Sequence, residues 1–339
     1  MICPWHLRLL GRISLPVFSC ALLLLVVLQT LSFPVVAEVL PKQAVKATRF
    51  EFAITGDAPY SVWEEGRFRD MVKAMNKENL AFVVHVGDFK NGGALCDDAT
   101  FQDRKQMFQA SRRPFIYVPG DNDWTDCHRA SNGGFDPRER LAKLREMFFQ
   151  GDLSLGQTPL RLERQSVDPR YSKFRENVRW SYGSVLFIGL NIPGSNNNFG
   201  RTREMDAEYR ERNAANLVWM KQAFEMARQN ESLGIVLSIQ ANPYLELPPA
   251  HKDRSGFNDF LAALEEATAS FGKPVLLVHG DTHHFRIDKP RFAPGRAQLP
   301  NFTRLETFGS PYVNWVRVTV DPADPKLFAF ERGIRDEFN

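Results

Sequence analysis

Four hydrophobic runs of this chain end in the same dipeptide, Gly-Asp: FEFAITGD to Asp57, LAFVVHVGD to Asp88, PFIYVPGD to Asp121 and PVLLVHGD to Asp281. Each reads as a strand. Gly lets the backbone turn sharply where the strand stops, and the following carboxylate is left at the sheet edge. If the strands lie side by side, four negative charges converge, and they repel strongly unless cations sit between them. The pattern therefore points to a metal site holding more than one ion. A fifth copy, Gly151-Asp152, follows a helix-like stretch and carries no such implication.

Between these runs lie helix-like segments. A helix over 63–76 is expected after the first strand, then a strand over 80–86, a helix near 100–110 and a strand over 115–118. The next helix covers 137–149, with Pro137 suited to the first helical turn. Segments 179–182 and 185–190 flank Gly183-Ser184, a hairpin signal. A long amphipathic helix fits 206–228, with Tyr209, Leu217, Met220 and Phe224 on its apolar side. A buried strand at 234–240 and a helix at 257–270 follow, and beyond His284 the chain turns β-rich, at 302–306, 313–320 and 327–330. This alternation predicts an α/β layered fold with mixed sheets. No composition shift or long Pro/Ser linker divides it, so 38–339 is expected to form one domain. The Gly/Asn-rich stretch GSNNNFG (194–200) reads as a loop, either over the site or as a plain surface turn.

Residues 1–37 have the features of an export signal. Arg8 and Arg12 precede an apolar run, no acidic residue is present, and Val35-Val36-Ala37 forms a small-residue cleavage site before Glu38. The expected location is periplasmic or secreted. The alternative is an uncleaved N-terminal membrane anchor, because 13–33 is nearly long enough to span, although Pro16, Gln29, Thr30, Ser32 and Pro34 interrupt it. Cys20 precedes the apolar core, which argues against a lipidation site. Cleavage removes Arg8 and Arg12 and takes the net charge from +3 to +1, so no basic excess argues for nucleic acid or an anionic membrane surface. Only Cys96 and Cys127 remain. In an exported protein the pair suggests a disulfide between loops on the carboxylate face, the alternative being two buried thiols.

In order, the chain presents TGDAP (55–59), HVGDF (85–89), PGDND (119–123), IQANP (239–243) and HGDTHHF (279–285). This resembles the calcineurin-like metallophosphoesterase superfamily over roughly 50–285. The family pattern runs Asp-x-His, Gly-Asp, Gly-Asn-His-Asp/Glu, a His before a Pro, and Gly-His-x-His. The resemblance implies a four-layer α/β/β/α sandwich with two mixed β-sheets, of the metallo-dependent phosphatase type. It implies that Asp57 binds a first metal, Asp88 bridges both, and His283 binds the first. The departures cluster. Pro59 replaces a metal-binding His, Asp121 an Asn and Asp281 a His; Gln240 occupies the place of the His before the Pro, with Asn242 as the alternative register. Asn122 stands where the family has a His thought to protonate the leaving group.

These changes remove nitrogen ligands and add carboxylates. An oxygen-rich shell favours two hard divalent ions, Mn²⁺ or Mg²⁺ ahead of Zn²⁺, with Fe or Ca²⁺ also admissible. Two such ions would clamp a phosphate and activate a water for in-line attack. Asn122 can donate a hydrogen bond but not a proton, which leaves His128 or His284 as alternative acids. Asp123 matches a family acid that orients the missing His, and here it can instead cap the turn. His85 and His279, inside apolar strands, read as core histidines, His279 alternatively backing the second site. Lys90, Arg129 and Arg286 are near enough in sequence to meet a phosphate. Two functions stay open: an exported metal-dependent phosphoesterase acting on a small phosphorylated substrate, and a non-catalytic descendant that serves as a binding module. Neither requires a stable membrane span after cleavage. The oligomeric state is not legible.

Overall fold

The computed structural model describes residues 48–333. The expected signal segment lies outside the described residues. Twelve strands among them form two sheets. The first has the order β12-β11-β1-β2-β3 and the second β4-β5-β6-β7-β8-β10-β9. In the first, β1 (Phe50–Thr55), β2 (Val83–His85) and β3 (Phe115–Tyr117) run parallel, while β11 (Val316–Val320) and β12 (Phe328–Arg332) are antiparallel. In the second, β6 (Val185–Gly189), β7 (Gly234–Ser238), β8 (Val275–His279) and β10 (Phe302–Glu306) run parallel. The edge strands β4 (Glu163–Arg164) and β9 (Arg286–Asp288), and β5 (Val178–Tyr182) beside β4, are antiparallel to their neighbours.

Both faces of each sheet are covered, which is why β3, β6, β7 and β8 read as unbroken apolar runs. Along β1, Phe52 and Ile54 enter the layer between the sheets with Phe82, Val84, Phe187, Val236 and Leu276. Ala53 faces the other way, into a layer with Val83, Phe68, Met71, Phe108 and Leu144. That outer layer comes from α1 (Val62–Met75), α2 (Asp98–Gln109) and α3 (Pro137–Phe148). The long helix Arg203–Gln229 and the helix Asn258–Phe271 cover the second sheet through Trp219, Met220, Phe224, Leu261 and Leu264. The order is thus helix, sheet, sheet, helix. Burial of a single Phe in such a layer contributes about 2–3 kcal/mol.

Helix starts follow local chemistry. Ser61, Asp97, Asp136 and Thr202 each accept a backbone N–H from the first turn of the helix that follows. The Thr202 cap starts the long helix at Arg203, ahead of the expected 206. Pairing confines the strand expected over 80–86 to three residues. Strands β4 and β9 are two and three residues long and mostly charged, so no apolar run announces them.

Candidate metal centre

Asp57, Asp88 and Asp121 follow the carboxyl ends of β1, β2 and β3, whereas Gln240 and Asp281 follow β7 and β8. Both sheets therefore deliver side chains to one crevice outside their strand ends. Asp57, Asp88, Asp281 and His283 adopt left-handed backbone conformations, with φ of 49°, 56°, 78° and 61°. Such conformations cost about 1 kcal/mol or more each and cluster at functional sites. The glycines before the acids serve the neighbouring strand. A Cβ on Gly120 would lie 2.0 Å from Asp88 Oδ1, and one on Gly280 would lie 2.0 Å from Asp57 Oδ2. Each glycine thus makes the seat for another strand's carboxylate.

The side chains interlock. The Asp281 N–H lies 3.0 Å from both Asp57 oxygens. Gln240 Nε2 reaches Asp121 Oδ1 at 3.1 Å and Asp281 Oδ1 at 3.4 Å, while Gln240 Oε1 accepts the Gly194 N–H. Asn242 contributes its N–H to Asp281 rather than taking Gln240's place. Asn122 donates to Asp88 through both its backbone N–H (3.0 Å) and its side-chain Nδ2 (2.8 Å). His283 Nδ1 meets the Ser310 carbonyl at 2.8 Å, which as a donor leaves Nε2 with its lone pair facing Asp57, 3.9 Å away. Asp123 accepts the N–H groups of Asp88, Phe89 and Gly120 and the Tyr117 hydroxyl. It fixes the loops that carry Asp88 and Asn122 and makes no use of a histidine.

Tyr60 and Ser195 escaped sequence reasoning. The Tyr60 hydroxyl sits 3.1 Å from Asp88 Oδ2, 3.0 Å from Asn122 Nδ2 and 3.3 Å from His283 Nε2. No pattern in the sequence singles it out. Ser195 Oγ donates to Asp121 Oδ2 at 2.8 Å and also reaches Asp126. Its stretch did carry a signal: Ser195, Asn196, Asn197 and Asn198 are all left-handed, with φ from 47° to 63°, and Asn tolerates that region best after Gly. The GSNNNFG stretch is therefore a fixed turn over Asp121. Arg212, fully buried, holds it through Asn191 O, Asn197 O and Oδ1, and Glu208.

Other expected residues lie apart. His128 is exposed and contacts the Thr125 carbonyl and Arg201, with no hydrogen bond to any of the four carboxylates. The His284 backbone N–H meets Glu306, as does the Arg286 side chain. Lys90 Nζ is spent on the carbonyls of Asn91 and Ala94. His85 is a satisfied core histidine: Nδ1 accepts the Gly87 N–H and Nε2 faces the Ala58 carbonyl, and burial lowers its pKa to about 4. His279 is likewise buried and its pKa is lowered to about 3, with one ring nitrogen on the Gly280 carbonyl. Cys96 and Cys127 form a disulfide with Cα atoms 5.7 Å apart, tying the loop after β2 to the loop after β3.

The centre is short of positive charge. Burial first, and then neighbouring carboxylates, push the pKa values of Asp57, Asp88 and Asp281 well up. Burial and Asp126 raise Asp121 to about 6, even though Ser195 counteracts them. Among the described residues, no three His, Cys, Asp or Glu side chains are arranged to hold an ion as they stand. The Gln240 amide and the Tyr60 hydroxyl lie between the acids. The donor set nevertheless fits hard cations: four carboxylates face one crevice, and glycine seats let the backbone close around them. Asp57, Asp88 and His283 could serve one cation, and Asp88, Asp121 and Asp281 another, which Gln240 could join only by turning its Oε1 from the Gly194 N–H toward the acids.

Fold and strand-end acids together define a metallophosphoesterase architecture. The family model for calcineurin-like phosphoesterases matches residues 50–285, and the chain belongs to that family. No protein of curated function matches the sequence. Among solved structures, a dimetal phosphatase from Danio rerio is similar at 11% identity and a TM-score of 0.50, over 80% of this chain and 95% of that one. This likeness shows the fold. A purple acid phosphatase from yellow lupin seeds aligns at 9% identity and a TM-score of 0.47, over 85% of this chain and 52% of its own. A 5'-nucleotidase from Candida albicans aligns at 13% and 0.42, over 84% and 50%. The chain spans about half the length of these last two.

Proposed function

We propose that the chain is an exported phosphoesterase that hydrolyses a small phosphorylated substrate at an oxygen-rich, two-cation centre. The observation that carries this reading is the convergence of Asp57, Asp88, Asp121 and Asp281 at the strand ends with no cationic side chain among them. Divalent ions held there would neutralise phosphate oxygens and lower the pKa of a bound water. The chain's own part is positioning. The Asn122 Nδ2 and Tyr60 O–H groups lie beside Asp88 and can donate to a phosphate oxygen or to the leaving oxygen. Neither is a ready proton source, so esters with good leaving groups are expected to react best. Asp123 fixes the two loops that carry Asp88 and Asn122, and Ser195 keeps Asp121 in place. Removal of the segment 1–37 and export are supported by the signal features and by the disulfide, since such bonds persist in oxidising compartments.

One observation favours the second reading, a non-catalytic binding module: Tyr60 and Gln240 already satisfy the acids. The two are separated by purification without chelator, metal analysis, and assay of p-nitrophenyl phosphate and its bis-ester with Mn²⁺ or Mg²⁺. Activity that depends on the cation and disappears in Asp88→Ala is expected. Absence of turnover in the wild type, with metal content unchanged by Asp88→Ala, defeats the enzyme reading.

A further inference from the structure

We infer that the groove formed by Trp63, Arg67, Phe308, Pro311 and Tyr312 holds a planar aromatic ring belonging to the phosphorylated substrate. This rests on the phosphoesterase reading for the phosphate, and on separate residues for the ring. Trp63 is 61% exposed and Tyr312 69% exposed, although they flank one cavity of about 340 Å³. Paired exposed aromatics at a cavity mark a binding surface, because each offers a large rigid face at little entropic cost. The Arg67 guanidinium lies 4.8 Å from the Trp63 ring centroid, so one side of the groove already forms a cation–π stack that a further flat ring can extend.

Two short segments join the residues of the groove to those of the carboxylate centre. Tyr60, whose hydroxyl touches Asp88 and His283, lies three residues before Trp63. The other segment is 308–312. The Ser310 carbonyl receives His283, and the Ser310 N–H meets the Asp57 carbonyl at 2.9 Å. Buried Glu64 clamps the segments together, accepting the Tyr60 N–H at 2.8 Å and the Ser310 hydroxyl at 2.8 Å. The backbone that orients the metal-facing residues thus also presents the exposed rings. A phosphate ester held among the acids could therefore place its ring on these side chains. The cavity volume suits one aryl ring or a nucleoside, and aliphatic esters gain nothing from it.

Two measurements test the ring site and separate it from the phosphoesterase reading. Trp63 is exposed, whereas Trp124, Trp180, Trp219 and Trp315 are buried, so adenosine should quench protein fluorescence saturably without cation or turnover. Quenching should need about tenfold more adenosine in Tyr312→Ala. In steady-state assays with Mn²⁺, the ratio of kcat/KM for phenyl phosphate to that for glycerol 2-phosphate should fall about tenfold in Trp63→Ala and recover in Trp63→Phe. Its value for glycerol 2-phosphate should stay unchanged. An adenosine 5'-monophosphate arm, compared with ribose 5-phosphate, distinguishes a nucleobase from a simple aryl group. Turnover with no saturable quenching overturns the ring site and leaves the phosphoesterase reading intact. Quenching weakened by Tyr312→Ala in a protein without turnover supports the ring site and overturns the other.

Discussion

Replacing Asp121 by Asn should stabilise the cation-free protein at alkaline pH and lose that advantage in acid. The carboxyl's pKa is raised from 3.8 in the free side chain to about 6 in the fold, by burial and then by Asp126. Well below about pH 4 the group is protonated in both states and costs nothing. Between about pH 4 and 6 the group is ionised in the unfolded chain but still protonated in the fold, so the penalty grows across that window and levels off above it at about 3 kcal/mol. Asn removes that charge and also eases Asp88 and Asp281, both of which are repelled by Asp121. Ser195 and Gln240 can still hydrogen-bond to an amide there. For a domain of this size, 3 kcal/mol corresponds to a rise of about 5 °C in Tm. The assay is thermal unfolding of chelator-treated protein between pH 4.5 and 8, repeated with 1 mM MnCl₂. With Mn²⁺ the wild type should itself gain: about 2.7 kcal/mol if the ion is present at a hundred times its Kd. The advantage of the variant should then shrink, because the bound ion neutralises the charge that Asn removes. A variant no more stable at pH 8, or equally stabilised at pH 4.5, refutes the electrostatic account. A wild type whose Tm is not raised by Mn²⁺ refutes the cation site.

Other perturbations probe the supports of the centre. Reduction of Cys96–Cys127, separated by 31 residues, should cost about 3–4 kcal/mol in unfolding experiments, and peptide mapping of unreduced protein should recover the two cysteines linked. Arg212→Met should cost about 3–5 kcal/mol in denaturant titration, because it strands Glu208 and releases the left-handed turn above Asp121. Ser184→Gly should add about 0.5–1 kcal/mol with no change in cation dependence, since φ at Ser184 is 69° in the tight turn joining β5 to β6. Gly120→Ala should abolish the Mn²⁺-induced rise in Tm while leaving every acid in the chain, because its Cβ would meet Asp88 Oδ1.

Much of the fold was readable because both faces of each sheet are buried, so β3, β6, β7 and β8 are continuous apolar runs. The same signal failed for β4 and β9, which gain their pairing from position at an edge and carry charged residues. At the centre, the acids were legible because Gly-Asp recurs at strand ends, and Gln240 because it keeps its place in a motif. Tyr60 was not, since its hydroxyl arrives through the path of a loop that no residue pattern encodes. His128 illustrates the converse. Nearness in sequence to Asp121 suggested a role, but the turn that begins at Trp124 points it toward Arg201.

The glycine seats link positions that are far apart in the chain. Residue 120 must lack a side chain because of the acid at 88, and residue 280 because of the acid at 57, 223 positions away. Loss of either acid would relax the constraint on its partner glycine, whereas a side chain gained at the glycine first displaces an acid. Changes at these pairs are therefore ordered in time: across related sequences, 120 and 280 should vary only in lineages where 88 or 57 has already changed, and a chain retaining both glycines bears the mark of selection on its carboxylates.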